Sequence, residues 1–158
     1  MTYVNRSSAV LSVLLAFAGS AAPCAERDIY PAPDRAKSDV AAALAASAAA
    51  HKRIILDFGG NWCTDCHVLD LYFHDQANKP ILDANYVLVH VNIGRMNENL
   101  DIAERYRIPL RKGVPALAVL GEHGELLYSQ QVGEFEAMRG MKSSAVTEFL
   151  VHWKSSSP

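Results

Sequence analysis

The stretch Trp62-Cys63-Thr64-Asp65-Cys66 constrains this chain more than any other. Two cysteines separated by two residues can close a disulfide across the first turn of a helix. Here they follow the apolar run Arg53-Ile54-Ile55-Leu56-Asp57-Phe58 and the loop Gly59-Gly60-Asn61. The run is short, β-branched and largely apolar, the pattern of a buried central strand. A strand, a tight loop and a helix opening on Cys63 put the first sulfur at a helix N-terminus. Unpaired N–H groups and the helix dipole there favour a thiolate over a thiol. That is the setting of a reactive dithiol.

The rest of the composition bounds what such a dithiol serves. With 158 residues, half of them apolar, the chain is one domain with a real core. Its three cysteines are too few for a disulfide framework at this size, which points to chemistry rather than stapling. Formal charge is −2, no basic run occurs, and the aromatics are scattered, so the pattern excludes a nucleic-acid binder. Residues 1–22 read as a signal peptide: Arg6, an apolar stretch from Ala9 to Ala18, then the small residues Gly19-Ser20-Ala21-Ala22. The apolar stretch falls short of the ~20 residues that span a bilayer. Export, to a bacterial periplasm, is therefore expected. Cys24 follows directly and is a candidate for lipidation, although Pro23 departs from the usual lipobox; membrane attachment is expected only in that case. Residues 23–38, with Pro31 and Pro33, read as an extended lead-in.

A domain over 39–154 accounts for the remainder. Ser38 or Asp39 can cap an alanine-rich helix ending near Ala50. The CxxC helix runs from Cys63 to about Gln76, and Pro80 opens a short helical turn. Tyr86 to Asn92 is a second buried strand, Leu100 to Tyr106 a helix, and Ala116 to Leu120 a third strand entered through Gly113-Val114-Pro115. The turn Gly121 to Gly124 returns the chain as an antiparallel partner over Glu125 to Gln130. A last helix covers Ser144 to Trp153, with Val146, Phe149, Leu150 and Trp153 on one face. Strands joined by helices pair in parallel and the hairpin adds an antiparallel edge, giving an α/β fold with a central mixed sheet flanked by helices on both faces.

Three matches together, Asp57-Phe58, Trp62-Cys63-Thr64-Asp65-Cys66 and Gly113-Val114-Pro115-Ala116-Leu117, make the chain from about Asp39 to Lys154 resemble the thioredoxin superfamily, particularly the exported thioredoxin-like proteins of bacteria. The resemblance implies a thioredoxin-like fold and a thiol–disulfide oxidoreductase. Cys63 would attack a substrate disulfide and Cys66 would resolve the mixed disulfide. Asp57 would match the buried acid that takes the Cys66 proton. Trp62 would shape the docking surface, and Pro115 would match the family's cis-proline facing the dithiol. The Val114 backbone would then pair with a substrate strand. The implied partners are protein thiols or disulfides and an upstream thiol electron donor. The implied redox group is the Cys63–Cys66 disulfide itself, with no cofactor and no metal, in a monomer.

Thr64-Asp65 departs from the family's Gly-Pro dipeptide. A negative charge at Asp65 opposes the Cys63 thiolate, disfavours the dithiol and so lowers the reduction potential, which leans the expected direction towards reduction. Two other readings stay open on the residues alone. Cys63-Thr64-Asp65-Cys66-His67 is a literal CxxCH, the c-type haem attachment pattern, with Met96, Met138 or Met141 as a possible sixth ligand. Cys63, Cys66 and His67, with His74 or His90, could also serve copper or zinc in a metal-binding or delivery module. His74 lies far along the same helix, and His90, inside a strand, is expected to face packing or solvent.

Overall fold

The computed structural model describes residues 27–155. The signal segment and Cys24 lie outside those residues. A single 3-10 turn, Pro33–Arg35, leads into helix α1, Ala36–Ala50, followed by strand β1, Arg53–Gly59. Helices α2 (Thr64–Phe73) and α3 (Lys79–Asn85) precede β2, Tyr86–Asn92. Helix α4, Leu100–Arg105, and a second 3-10 turn, Leu110–Lys112, lead to β3, Ala116–Leu120. The hairpin strand β4 is Leu126–Ser129, and α5, Ser143–Trp153, closes the described chain.

The sheet order is β2-β1-β3-β4. β1 runs parallel to β2, with Asp57 opposite His90, and antiparallel to β3, which pairs antiparallel with β4. This is the mixed sheet expected from the sequence, with β1 in its interior. Side chains alternate along β1, so two distinct cores form. Ile54, Leu56 and Phe58 pack in a core with Val40, Ala43, Val91, Ile102 and Tyr106. Ile55 joins Leu69, Phe73, Leu82, Phe149 and Leu150 in the other. Helix α1 buries Ala36, Val40, Ala43 and Ser47, a stripe spaced by three and four residues. Its small side chains suit a helix laid close against β1 and β2.

Two boundaries differ from expectation by more than one residue. Helix α1 starts at Ala36, ahead of the expected caps, because Pro33 initiates the preceding turn. Ser38 then donates back to the Arg35 carbonyl at 2.7 Å, and Asp39 pairs with Arg35 four residues earlier at 2.9 Å. Both side chains sit inside the helix rather than capping it. Helix α2 ends at Phe73 instead of near Gln76. Asp75 accepts the backbone N–H groups of Ala77 and Asn78 at 3.0 and 2.8 Å, so a local carboxylate competes with the helix for those donors.

Candidate active site

Cys63 is the N-cap of α2, with extended backbone at φ −94° and ψ 106°. Its sulfur accepts the Cys66 N–H at 3.1 Å, satisfying one of the orphan donors of the first helical turn. Cys63 and Cys66 are joined in a disulfide, with their Cα atoms 5.2 Å apart. The two sulfurs differ in access: Cys63 keeps 6% of its surface, whereas Cys66 keeps none. An incoming group therefore meets Cys63.

The loop before β3 faces that sulfur. The Val114 carbonyl oxygen lies 3.6 Å from Cys63 Sγ, and the Val114–Pro115 peptide is cis. Buried Gln130 fixes this entry to the strand: its amide donates to the Pro115 carbonyl at 3.3 Å, and its side-chain oxygen accepts the Leu117 N–H at 3.2 Å. Trp62 stands on the rim, 41% exposed. Its indole N–H donates to the Gly94 carbonyl, and the Arg95 guanidinium lies 5.7 Å from the ring.

Beneath the disulfide lies a polar network that the sequence reading did not assemble. Asp57 is wholly buried on β1. Its Oδ2 accepts the Tyr30 hydroxyl at 2.8 Å and lies 2.9 Å from His90 Nδ1, while its Oδ1 has no hydrogen-bond partner among the described residues. Gly59, two residues along the same face of β1, supplies the space above. A Cβ there would overlap the Tyr30 hydroxyl and would sit 2.7 Å from Cys66 Sγ. Tyr30, the Asp57 face of the strand and the inner sulfur thus meet at one glycine. Tyr30 comes from the stretch expected to be a mere lead-in. Asn61 ties it down, its Oδ1 accepting the Ile29 and Tyr30 N–H groups and its Nδ2 donating to the Tyr30 carbonyl.

His90 is half of the next link. Rather than facing apolar packing or solvent, it sits between two carboxylates, with Nε2 3.6 Å from Asp70 Oδ1. Burial alone would lower its pKa, but the Asp57 hydrogen bond and the charges of Asp57 and Asp70 outweigh burial and the opposing Arg27 charge, so the net shift is upward. Burial next to these same carboxylates pushes the Tyr30 hydroxyl well above its ordinary value. The Asp70 carboxylate is held in turn by Arg27 at 2.6 Å, while His74 Nδ1, 3.1 Å from that carboxylate, hydrogen-bonds the Asp70 backbone carbonyl oxygen at 2.8 Å. The missed signal was local. Asp57 and His90 are the polar breaks in two apolar strands, and Asp70 and His74 stand one helical turn apart.

Asp65 has a partner the sequence could not reveal. The Arg139 backbone N–H donates to it at 2.8 Å and its Nε lies 3.2 Å from both carboxylate oxygens. Burial pushes the Asp65 carboxyl up, but these hydrogen bonds and the Arg139 charge win and hold it below its usual range. The charge is therefore real but compensated, which weakens it as a force against a Cys63 thiolate. Thr64, beside it, is exposed in the first helical turn.

The metal and haem arrangements find no matching geometry. Cys63 and Cys66 are bonded to one another, and His67 Nε2 lies 2.9 Å from the Asn61 carbonyl oxygen. Among the described residues, no three His, Cys, Asp or Glu side chains gather as a metal site would require. No helix among them is long and apolar enough to cross a membrane.

Comparison with known proteins agrees with the fold. The family model described as "Thioredoxin-like" matches residues 35–121. A solved disulphide isomerase from Xylella fastidiosa Temecula1 is 31% identical, covering 78% of this chain and 95% of its own, with a TM-score of 0.74. A DsbH oxidoreductase (23% identity, 72% and 82% coverage, TM-score 0.53) shares the fold. So does a thioredoxin from Thermus thermophilus, at 20% identity, 78% and 83% coverage and a TM-score of 0.52. No curated protein sequence matches. With its CxxC disulfide seated at the head of α2, the chain belongs to the thioredoxin-like family of thiol–disulfide oxidoreductases.

Proposed function

We propose that the protein reduces disulfides in exported proteins, with Cys63 as the attacking and Cys66 as the resolving thiol. The observation that carries this reading is the asymmetry of the pair: an accessible sulfur at the helix N-terminus and a sealed one above a buried carboxylate. In the dithiol form, a Cys63 thiolate attacks a substrate disulfide, bonding to one sulfur and releasing the other as thiolate. Cys66 then attacks Cys63 Sγ, releasing the second substrate thiolate and closing the Cys63–Cys66 disulfide. Two electrons pass to the substrate, and an upstream thiol donor restores the dithiol; no bound cofactor or metal is needed.

The second attack requires Cys66 to lose its proton while buried. Asp57 is the acceptor: it lies on the Cys66 side of β1 and keeps one oxygen free of hydrogen bonds. Asp57 serves this step in both directions, so the potential of the pair sets which way electrons flow. The Asp65 charge contributes less to that potential, because Arg139 compensates it. Trp62, Val114 and Pro115 form the docking surface, with the Val114 backbone offering hydrogen bonds to an extended substrate segment. The N-terminal segment, with its apolar stretch and small residues, supports export to a periplasm, and a monomer suffices for the chemistry.

The test is reduction of insulin disulfides by the mature protein supplied with a dithiol donor, alongside the Cys63–Cys66 potential. Turnover that disappears in Cys63→Ser, with a potential near the thioredoxin value of about −270 mV, is the expected result. A potential near about −120 mV would reverse the direction and make the protein a disulfide donor. Isomerisation is the second reading, favoured by the 31% identical relative described as a disulphide isomerase. Recovery of scrambled ribonuclease, without net insulin reduction, would select it.

A further inference from the structure

Asp57 accepts two hydrogen bonds, and both fall on the same oxygen. The Tyr30 hydroxyl donates to Oδ2 at 2.8 Å and His90 Nδ1 lies 2.9 Å from that atom, while Oδ1 is buried with no partner among the described residues. His90 comes with the sheet, because parallel pairing of β1 with β2 sets it opposite Asp57. Tyr30 comes from outside the sheet, ahead of the first 3-10 turn, and its segment is tied down by three asparagines. Asn61, in the loop that leads to Cys63, accepts the Ile29 and Tyr30 N–H groups and donates to the Tyr30 carbonyl. Asn92 at the end of β2 donates to the Pro31 carbonyl at 2.7 Å, and Asn99 donates to the Pro33 carbonyl at 2.8 Å. Gly59 then admits the hydroxyl, since a Cβ there would overlap it and crowd Cys66 Sγ. A buried carboxylate with no donor sheds its charge by taking up a proton, and a protonated Asp57 could not accept another from Cys66.

We propose that Tyr30 is a positioning residue for resolution: its hydroxyl anchors Oδ2 of a charged Asp57 and leaves Oδ1 as the oxygen that takes the Cys66 proton. The inference rests on the thiol–disulfide exchange proposed above. In that step the Cys66 S–H proton moves to Asp57 Oδ1 as Cys66 Sγ bonds to Cys63 Sγ. The bond from Cys63 to the substrate sulfur breaks, and its electron pair leaves with the substrate thiolate. Re-reduction of the pair returns the proton to Cys66. Tyr30 keeps its own proton throughout, because burial beside the carboxylates pushes its hydroxyl well above its ordinary value. It is a fixed donor rather than an acid. The other titratable groups around Asp57 are His90 from β2 and Cys66 from α2, with Asp70 of α2 and Arg27 of the N-terminal segment beyond His90. Leu117, its neighbour on β3, carries no charge. The Arg27 guanidinium is engaged by Asp70, so among the described residues Tyr30 and His90 alone hydrogen-bond the Asp57 side chain.

Stopped-flow reaction of the reduced protein with dithiobis(nitrobenzoate) releases one aryl thiolate on attack by Cys63 and a second on resolution by Cys66. At reagent concentrations that make the attack phase fast, the second release is first-order and reports resolution alone. Tyr30→Phe keeps the ring that packs edge-on against His90 at 5.1 Å and removes only the hydroxyl. The loss of one hydrogen bond to a charged group should move the acid limb of the resolution phase up by about one pH unit, a slowing of about tenfold on that limb. The alkaline plateau and the attack phase should be retained, with near-ultraviolet circular dichroism checking the fold. In an Asp57→Asn background the same substitution should leave resolution unchanged, because the hydroxyl acts through Asp57. A limb that does not move overturns the inference. So does a plateau that falls without a shift, which would make Tyr30 a packing residue, and so does a Tyr30→Phe effect that survives in Asp57→Asn. A wild-type protein that releases no aryl thiolate overturns the exchange reading itself.

Discussion

The two faces of β1 are built from one run of seven residues and do opposite things. On one face Ile54, Leu56 and Phe58 are completely buried among apolar side chains, each worth roughly 1.5–3 kcal/mol by removal from water. On the other, Ile55 is equally apolar, but Asp57 and Gly59 follow, one a buried carboxylate and one an absent side chain. The first face pins the strand; the second spends that stability on a polar pocket below Cys66. Because side chains alternate, a slip of one residue would place the acid in the apolar core and a Phe beneath the disulfide. Fixing the register with three large apolar residues is what makes one buried acid tolerable.

Truncating the apolar face should separate stability from chemistry. Phe58→Ala is expected to lose about 3–5 kcal/mol in denaturant melts, while the exchange rate per folded molecule stays close to that of the wild type. An exchange rate that collapses along with stability would show that the two faces are not independent. Asp57→Asn tests the other face: the resolution phase should slow by about a hundredfold, within the usual range for a lost acid–base group, with the attack phase unaffected. An equal loss in both phases would make Asp57 a structural residue.

The pH dependence sharpens the contrast, because the polar face titrates and the apolar face does not. The His90 pKa is raised above its ordinary value of 6.5, so its interaction with Asp57 and Asp70 contributes fully to stability below about that pH. The contribution fades as pH climbs through the higher folded-state pKa. Wild type should therefore hold a margin over His90→Gln in mild acid that shrinks as the solution is made alkaline, whereas Phe58→Ala should show the same deficit throughout. A margin that grows with pH would contradict the assigned charge on His90. The smallest effect is expected at the rim. Arg139→Ala uncovers the Asp65 charge and, at the ~1 kcal/mol or less typical of such an exposed pair, should lower the disulfide potential by no more than about 20 mV. A rise in potential would mean Asp65 does not act through its charge.

How much of this was legible beforehand followed from distance along the chain. The strands, the CxxC helix and the entry through Gly113-Val114-Pro115 are local patterns, and β1, β2 and β3 fall within a residue of where periodicity puts them. Cys63, Cys66 and Asp57 stand in one short stretch, so the sequence itself brings them together. His90 becomes a partner of Asp57 only through the parallel pairing of β1 with β2, and no propensity encodes that register. Tyr30 reaches the site because Asn61 grips the backbone of an otherwise unremarkable proline-containing segment. Arg139 finds Asp65 across 74 residues of sequence. The chemistry could be read from the nucleophile outward, but its support had to be seen.

Gly59 carries a consequence for how this sequence can vary. Glycines held by a left-handed backbone tolerate asparagine, since the demand there is on dihedral angles. Gly59 is held by volume, with no positive φ among its requirements, and its missing side chain is space shared by a sulfur and a hydroxyl. Alanine, the mildest replacement, would have to displace Cys66, Tyr30 or both. Compensation would require a smaller residue at position 30, and that would strip a hydrogen bond from Asp57. Positions 30, 57, 59 and 66 should accordingly drift together or not at all, although they lie on three different elements of the fold.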